Sequence, residues 1–161
     1  MPAILTALPA TNRQSPALDE LDLALIEELR RDGRITHEEL SRRVSLSRPA
    51  VVQRMKRLHE IGAVRSYTAI PDWDLLGLPI LAFIRVRTTR NCRREAERII
   101  EMSDSSVIVE ECHRTTGEWC LLVKVRARSS VALEALLDRM REDENVQATM
   151  TTLALSTMYA P

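Results

Sequence analysis

The hydrophobic period of this chain changes once along its length, and that change limits the folds open to it. Leu18, Leu21, Leu25 and Leu29 recur at spacings of three and four, and Val51, Met55 and Leu58 repeat the pattern farther on. Such spacing gathers each set on one side of an α-helix. From Ile80 onward the apolar residues alternate at every second position instead. Ile80, Ala82, Ile84 and Val86 fall on one face, with Leu81 and Phe83 on the other. That is the period of a strand. A helical first part followed by a strand-rich remainder predicts an α+β chain of two small domains, which 161 residues can hold.

Local signals place the boundaries. Residues 1–15 mix prolines, small and polar residues without periodicity and read as a flexible tail. The first domain is expected over 16–70. Pro16 suits the first turn of a helix that Asp32-Gly33 stops. Thr36 and Glu39 have capping-box spacing at the start of a second helix, whose inner face is Leu40 and Val44. Ser45 to Ser47 separate it from a third helix, with Ser47 as N-cap, Pro49 in the first turn and Gly62 as the stop. Three short helices with a tight turn before the last are the plan of a winged-helix-like helix-turn-helix unit. Val64–Ile70 reads as an extended connector and 71–78 as a turn-rich linker.

The second domain is expected over 79–157. Strands are predicted at Ile80–Arg87, Val107–Arg114, Glu118–Arg126 and Val146–Leu155. A helix at Arg93–Met102 turns Cys92, Ala96, Ile99 and Ile100 inward, and one at Val131–Arg141 turns Leu133, Leu136, Leu137 and Met140 inward. The order βαββαβ is the ferredoxin-like split motif. Several strands are apolar on both faces: Trp119, Leu121, Val123 and Val125 alternate with Cys120 and Leu122. Two helices cover only one face of a sheet, so the other needs a cover. A second copy of the sheet is the simplest one, which predicts a homodimer.

Net charge is zero, with 45% hydrophobic and 29% charged residues, so bulk charge names no partner. Its distribution does. Arg42, Arg43, Arg48, Arg54, Lys56, Arg57 and Arg65 crowd into a stretch where only Glu60 opposes them. A local basic segment in a neutral chain suits a phosphate backbone, against the blander reading of a solvated helix face. Cys92, Cys112 and Cys120 form no CxxC pair, so neither a zinc site nor a disulfide framework is indicated, and reduced thiols in the cytoplasm are expected. Strand alternation also puts Cys112 and His113 on opposite faces, which disfavours a shared metal ion. No cofactor is expected. The N-terminus lacks the basic region of a signal peptide, and no apolar run approaches membrane-spanning length.

From Leu18 to Leu155 the chain resembles the Lrp/AsnC (leucine-responsive/asparagine regulator, feast/famine) family of bacterial and archaeal transcription factors. The likeness is carried by LDELDLALIEELRRDGRITHEELSRRVSLSRPAVVQRMKRLHEIGAVRSYTAI, residues Leu18–Ile70, and by ECHRTTGEWCLLVKV, residues Glu111–Val125. The resemblance implies an N-terminal domain that reads double-stranded DNA. It also implies a C-terminal domain that forms dimers, assembles them into tetramers or octamers, and binds a small effector, usually an amino acid.

With Val51, Met55 and Leu58 inward, the third helix shows Arg48, Pro49, Val52, Gln53, Lys56 and Arg57 to a partner. Arg48 and Gln53 are the candidates for base edges, since Arg suits guanine and Gln suits adenine. Ser47, Arg54, Lys56 and Arg57 are candidates for phosphates, as are Arg42 and Arg43 on the second helix. Arg54 has a structural alternative, an ion pair with an acid of the first helix such as Asp22. Family members usually have glycine where this chain has Ser45, which costs roughly 1 kcal/mol if φ there is positive. For the effector, the resemblance points to Thr116, Gly117, Glu118, Trp119 and Cys120, with Thr149 and Thr151 on the last strand. Cys120 stands where the family usually has Asp, and Leu121 where an aromatic is common. Sheet packing is the equal alternative for all of these. Two rival functions remain at this point: a nucleoid-organising DNA-binding protein using the same helix, and a sirohaem-decarboxylase-like enzyme of the same architecture.

Overall fold

The computed structural model describes residues 17–89 and 92–159. The expected tail and Pro16 lie outside the described residues. The chain divides into two compact units at Ala69/Ile70.

The first unit contains α1 (Glu20–Arg31), α2 (His37–Arg43) and α3 (Arg48–Glu60). Leu25, Leu40, Val44, Val51, Met55 and Leu58 form its buried core, with Ile26, Leu29, Ile35, Leu46 and Ile61 packed around it. Leu18 is not part of the first stripe. Asp19 caps α1 one residue later, in a reciprocal capping box with Asp22, so Leu18 precedes the helix and stays exposed. At α2 the expected box forms by half. Thr36 accepts from the Glu39 amide at 3.1 Å, but the Glu39 carboxylate is drawn to Arg42 and Arg43.

Ser45 adopts φ of 54°, the left-handed conformation that the turn between α2 and α3 requires. Ser41 Oγ donates to the Leu46 carbonyl across the same turn, and the Leu46 amide returns to the Ser41 carbonyl at 3.1 Å. Ser47 caps α3, Pro49 occupies its first turn, and Gly62 at φ 73° follows the C-cap Ile61.

The second unit is a four-stranded antiparallel sheet in the order β2-β3-β1-β4, with β1 at Ile80–Thr88, β2 at Val107–Arg114, β3 at Leu121–Ala127 and β4 at Val146–Leu153. Two helices, α4 (Cys92–Glu101) and α5 (Ser130–Arg141), complete the ferredoxin-like βαββαβ order. Ala82, Ile84, Val86, Leu121, Val123 and Val125 pack with Ile99, Leu133, Leu136 and Met140 beneath the helices. Within α4 one expectation fails: Ile100 is exposed, and Glu95 is buried in its place. Glu95 tolerates this because it hydrogen-bonds Asp143, which Arg98 also engages.

On the other face, Phe83, Arg85, Leu122, Lys124, Arg126 and Met150 share the pleat by register. That face is mixed rather than purely apolar. Arg126 bonds Glu110 at 2.8 Å, and Lys124 bonds Glu111 at 2.9 Å.

Candidate nucleic-acid interface

The outward side of α3 is a single surface. Arg48, Pro49, Val52, Gln53 and Lys56 line one open depression, because positions four and eight apart stack along the same side of a helix. Val52 is exposed there while Val51 beside it is fully buried, as a face reserved for a partner requires. Arg48 has no acidic partner among the described residues. Lys56 has only Glu60, at 3.7 Å. Ser47 spends one lone pair on the Ala50 amide, which leaves its hydroxyl proton available.

The other cations divide in two. Arg42 and Arg43 on α2 pair with Glu39, and Arg43 also reaches Glu28 at 2.6 Å. The pairs with Glu39 are surface pairs, with Arg42 72% exposed, and such pairs hold weakly. Arg54 and Arg57, expected at phosphates, turn back onto α1 instead. Arg54 bonds Asp22 Oδ1 and Asp19 Oδ2, each at 2.7 Å, and Arg57 bonds Asp22 Oδ2 at 2.7 Å and the Ala17 carbonyl at 2.9 Å. Asp22 itself is fully buried. A buried carboxylate needs countercharge, and the two guanidiniums supply it. The alternative of an Arg54–Asp22 pair is therefore the one found, and Arg57 joins it. The paired acids hold the Arg54 guanidinium above its ordinary pKa, and the Asp22 amide and Arg54 hold the Asp19 carboxyl below the usual range.

The residues expected to contact an effector do not all meet. A hollow of about 280 Å³ is lined by Arg85, Thr115, Thr116, Glu118, Trp119, Leu121 and Leu122. It contains three of the expected residues, Thr116, Glu118 and Trp119, beside Gly117 at φ 94°. Arg87 braces it, bonding Glu118 at 2.6 Å with its guanidinium 5.8 Å from the Trp119 ring. Thr115 closes the loop: its hydroxyl donates to the Trp119 carbonyl and its amide to the Cys120 carbonyl. This closure delays β3, which starts at Leu121 rather than Glu118.

Cys120 does not line the hollow. Its thiol lies 3.2 Å from Thr88 Oγ1 and 3.6 Å from the Val86 carbonyl, packed against the core. Thr149 and Thr151 pair with Val86 and Ile84, so they share the helix-covered face. Arg85, Leu122 and Met150 occupy the opposite one. Within one chain, then, the two threonines and the hollow are on different sides of the sheet. Arg85, Thr115 and Leu122 were not legible as site residues. The register that brings Arg85 opposite Leu122 joins positions 37 apart in the chain.

Among the described residues no helix is long and apolar enough to cross a membrane, and no three His, Cys, Asp or Glu side chains gather as a metal site.

Known proteins match both units. The AsnC-type helix-turn-helix domain matches residues 18–59, and the Lrp/AsnC ligand binding domain matches residues 81–160. The HTH-type transcriptional regulator LrpA of Mycobacterium tuberculosis is 36% identical over 145 residues, which cover 89% of this chain and 94% of the relative. The solved structure of LrpC from Bacillus subtilis, 31% identical, superposes with a TM-score of 0.75 and covers 89% of this chain and 99% of its own. The feast or famine regulatory protein of M. tuberculosis complexed with L-methionine, 35% identical, gives a TM-score of 0.80 over 89% of this chain and 96% of its own. With both domains matched in order, and with relatives above 30% identity along nearly the whole chain, this protein belongs to the Lrp/AsnC family of helix-turn-helix transcriptional regulators.

Proposed function

We propose that this regulator reads a specific DNA sequence through the outward side of α3, with Arg48 and Gln53 at base edges and Ser47, Lys56, Arg42 and Arg43 on phosphates. One observation carries this reading: Arg48, Pro49, Val52, Gln53 and Lys56 form one exposed surface on a capped helix, and Arg48 is uncommitted to any acid among the described residues. An N-terminal arginine and a glutamine one and a half turns later can reach successive bases along a major groove, while Pro49 and Val52 supply apolar contact to thymine methyls. Phe83, Leu122 and the exposed Met150 on the helix-free face of the sheet support pairing with a second copy, and two copies of α3 would then meet half-sites about one helical turn apart, or a multiple of it.

The hollow at Thr116–Trp119 is the proposed effector site. The relative complexed with L-methionine supports an amino acid or a related small molecule as its occupant. The role is regulatory rather than catalytic, and the place of action is the cytoplasm.

In vitro selection from a random duplex pool, followed by gel-shift titration, tests the DNA reading. The selected duplex should bind at least a thousandfold more tightly than random duplex at moderate salt. Equal affinity for both would sink the sequence-specific claim. Calorimetry against the twenty amino acids tests the sensor, and heat from none of them would remove that part alone.

A further inference from the structure

We infer that Asp22, which touches no DNA, is a specificity-determining positioning residue: by holding Arg54 and Arg57 it withholds two cations from the phosphate backbone. This rests on α3 being the element that reads DNA.

The cations of the basic stretch through α2 and α3 are not equivalent. What separates them is the burial of their partners. Glu39 is 31% exposed, and Glu28, though only 14% exposed, also bonds Arg31 at 2.8 Å, so giving up Arg42 or Arg43 to a phosphate leaves neither acid buried without solvent or countercharge. Asp22 is different. Its side chain is 1% exposed and accepts Arg54, Arg57 and the Asp19 amide, the last at 3.2 Å. A phosphate that captured either guanidinium would strip countercharge from a carboxylate with no water to replace it. Arg54 and Arg57 also lie three residues apart, on the side of α3 that faces α1 rather than on the side carrying Arg48, Val52 and Lys56.

The functional consequence follows from the two components of DNA affinity. Sequence-independent binding grows with the number of phosphates neutralised, whereas discrimination comes from base contacts. Removing two cations from the first component and none from the second raises the ratio of specific to non-specific affinity. The buried aspartate therefore acts on selectivity from behind the helix.

Salt titrations of the full chain decide it, using the selected duplex and a random duplex. Lys56→Gln should flatten the slope of log K against log salt by about 0.9, the value for one lost phosphate contact. Arg54→Gln and Arg57→Gln should leave the slope unchanged. Asp22→Asn should steepen it by about 0.9 for each guanidinium released, and should lower the ratio of selected-duplex to random-duplex affinity. A purely architectural ion pair would not steepen the slope.

The inference is overturned if either arginine variant flattens the slope as Lys56→Gln does, or if folded Asp22→Asn keeps the wild-type slope and ratio. Should Asp22→Asn fail to fold, the arginine variants still decide: unchanged slopes support the withheld cations and flattened ones refute them. If instead Arg48→Gln and Lys56→Gln both leave DNA affinity intact, α3 is not the reading element, and the inference falls with that assignment rather than on its own.

Discussion

Arg48, Val52, Gln53 and Lys56 face solvent together because all lie on one 13-residue helix. Arg85, Thr116, Trp119 and Leu122 meet only because a strand, a closed loop and a second strand are brought into register. The first site is written in a local period, the second in pairings between distant segments. The two units thus show how far single-sequence reasoning reaches. A helix face follows from spacing alone, while a site on a sheet depends on which strand lies beside which, and on which way each pleat turns.

The largest effects should come from the cores, and they should separate the units. Leu58 and Ile84 are each fully buried, one in each hydrophobic cluster. Leu58→Ala and Ile84→Ala should each cost about 2–5 kcal/mol, from lost burial and a residual cavity. Hydrogen exchange should show faster exchange confined to α1–α3 in the first variant and to the sheet in the second. Uniform acceleration through both units in either variant would mean that they unfold as one.

Next come the sites. Arg48→Ala and Gln53→Ala should each lose about 1–3 kcal/mol of affinity for the selected duplex and relax preference at one base position. Trp119→Ala should leave DNA affinity without effector unchanged and abolish calorimetric binding of a small ligand. If Trp119→Ala instead weakens DNA binding as much as Arg48→Ala, the separation between a reading unit and a sensing unit is wrong.

How much of this was legible before the structure follows the same division. The caps at Thr36 and Ser47, the stop at Gly62, the inner stripe of α3 and the βαββαβ order all depend on neighbours within a few residues, and each is present. The departures at side chains with a proposed role involve distant partners, while those at element ends, such as Leu18 before α1 and the start of β3, are local. Arg54 and Arg57 are claimed by an acid 32 and 35 residues away. Glu95 takes a buried place that Ile100 was expected to fill, because Asp143 and Arg98 satisfy it. Thr149 and Thr151 fall on the covered face because the β1–β4 register sets it. Cys120 turns inward to Val86 and Thr88 across the β1–β3 pairing. Strand boundaries moved where the Thr115 loop closure holds residues 118–120 out of the ladder.

Ser45 offers a smaller and more local test. Its φ of 54° lies where an L side chain crowds the backbone, and glycine would relieve that crowding. Ser45→Gly should stabilise the first unit by about 1 kcal/mol without altering the DNA-binding slope. Chemical denaturation checks it, and a destabilised variant would mean that the serine side chain contributes more than the strain it incurs.

The subtlest contrast is in pH dependence. In the first unit the shifted carboxyls of Asp19 and Glu39 are both lowered, Asp19 chiefly by the Asp22 amide and Glu39 chiefly by Arg43. A lowered carboxyl contributes stability above its unfolded pKa and loses it as pH falls through the folded value, so between acid and neutral pH this unit should weaken only on the acid side. The second unit has Asp104 in the same sense, held at about 2 by Ser106 and the Val107 amide. It also has Glu95 in the opposite sense, raised by burial and by its hydrogen bond to Asp143, whose own carboxyl is lowered mainly by the Asn145 amide. A raised carboxyl stabilises fully below its unfolded pKa, and that contribution fades as pH climbs through the folded value. The second unit should therefore lose stability on both sides: toward acid through Asp104 and Asp143, and toward neutrality through Glu95. Glu95→Gln keeps a donor for Asp143 without a charge to bury. Comparing denaturation of wild type and variant between about pH 4 and pH 8, the variant should gain most at the upper end and leave exchange in α1–α3 unmoved. A gain that is equal at both ends would assign the benefit to packing rather than to the proton on Glu95.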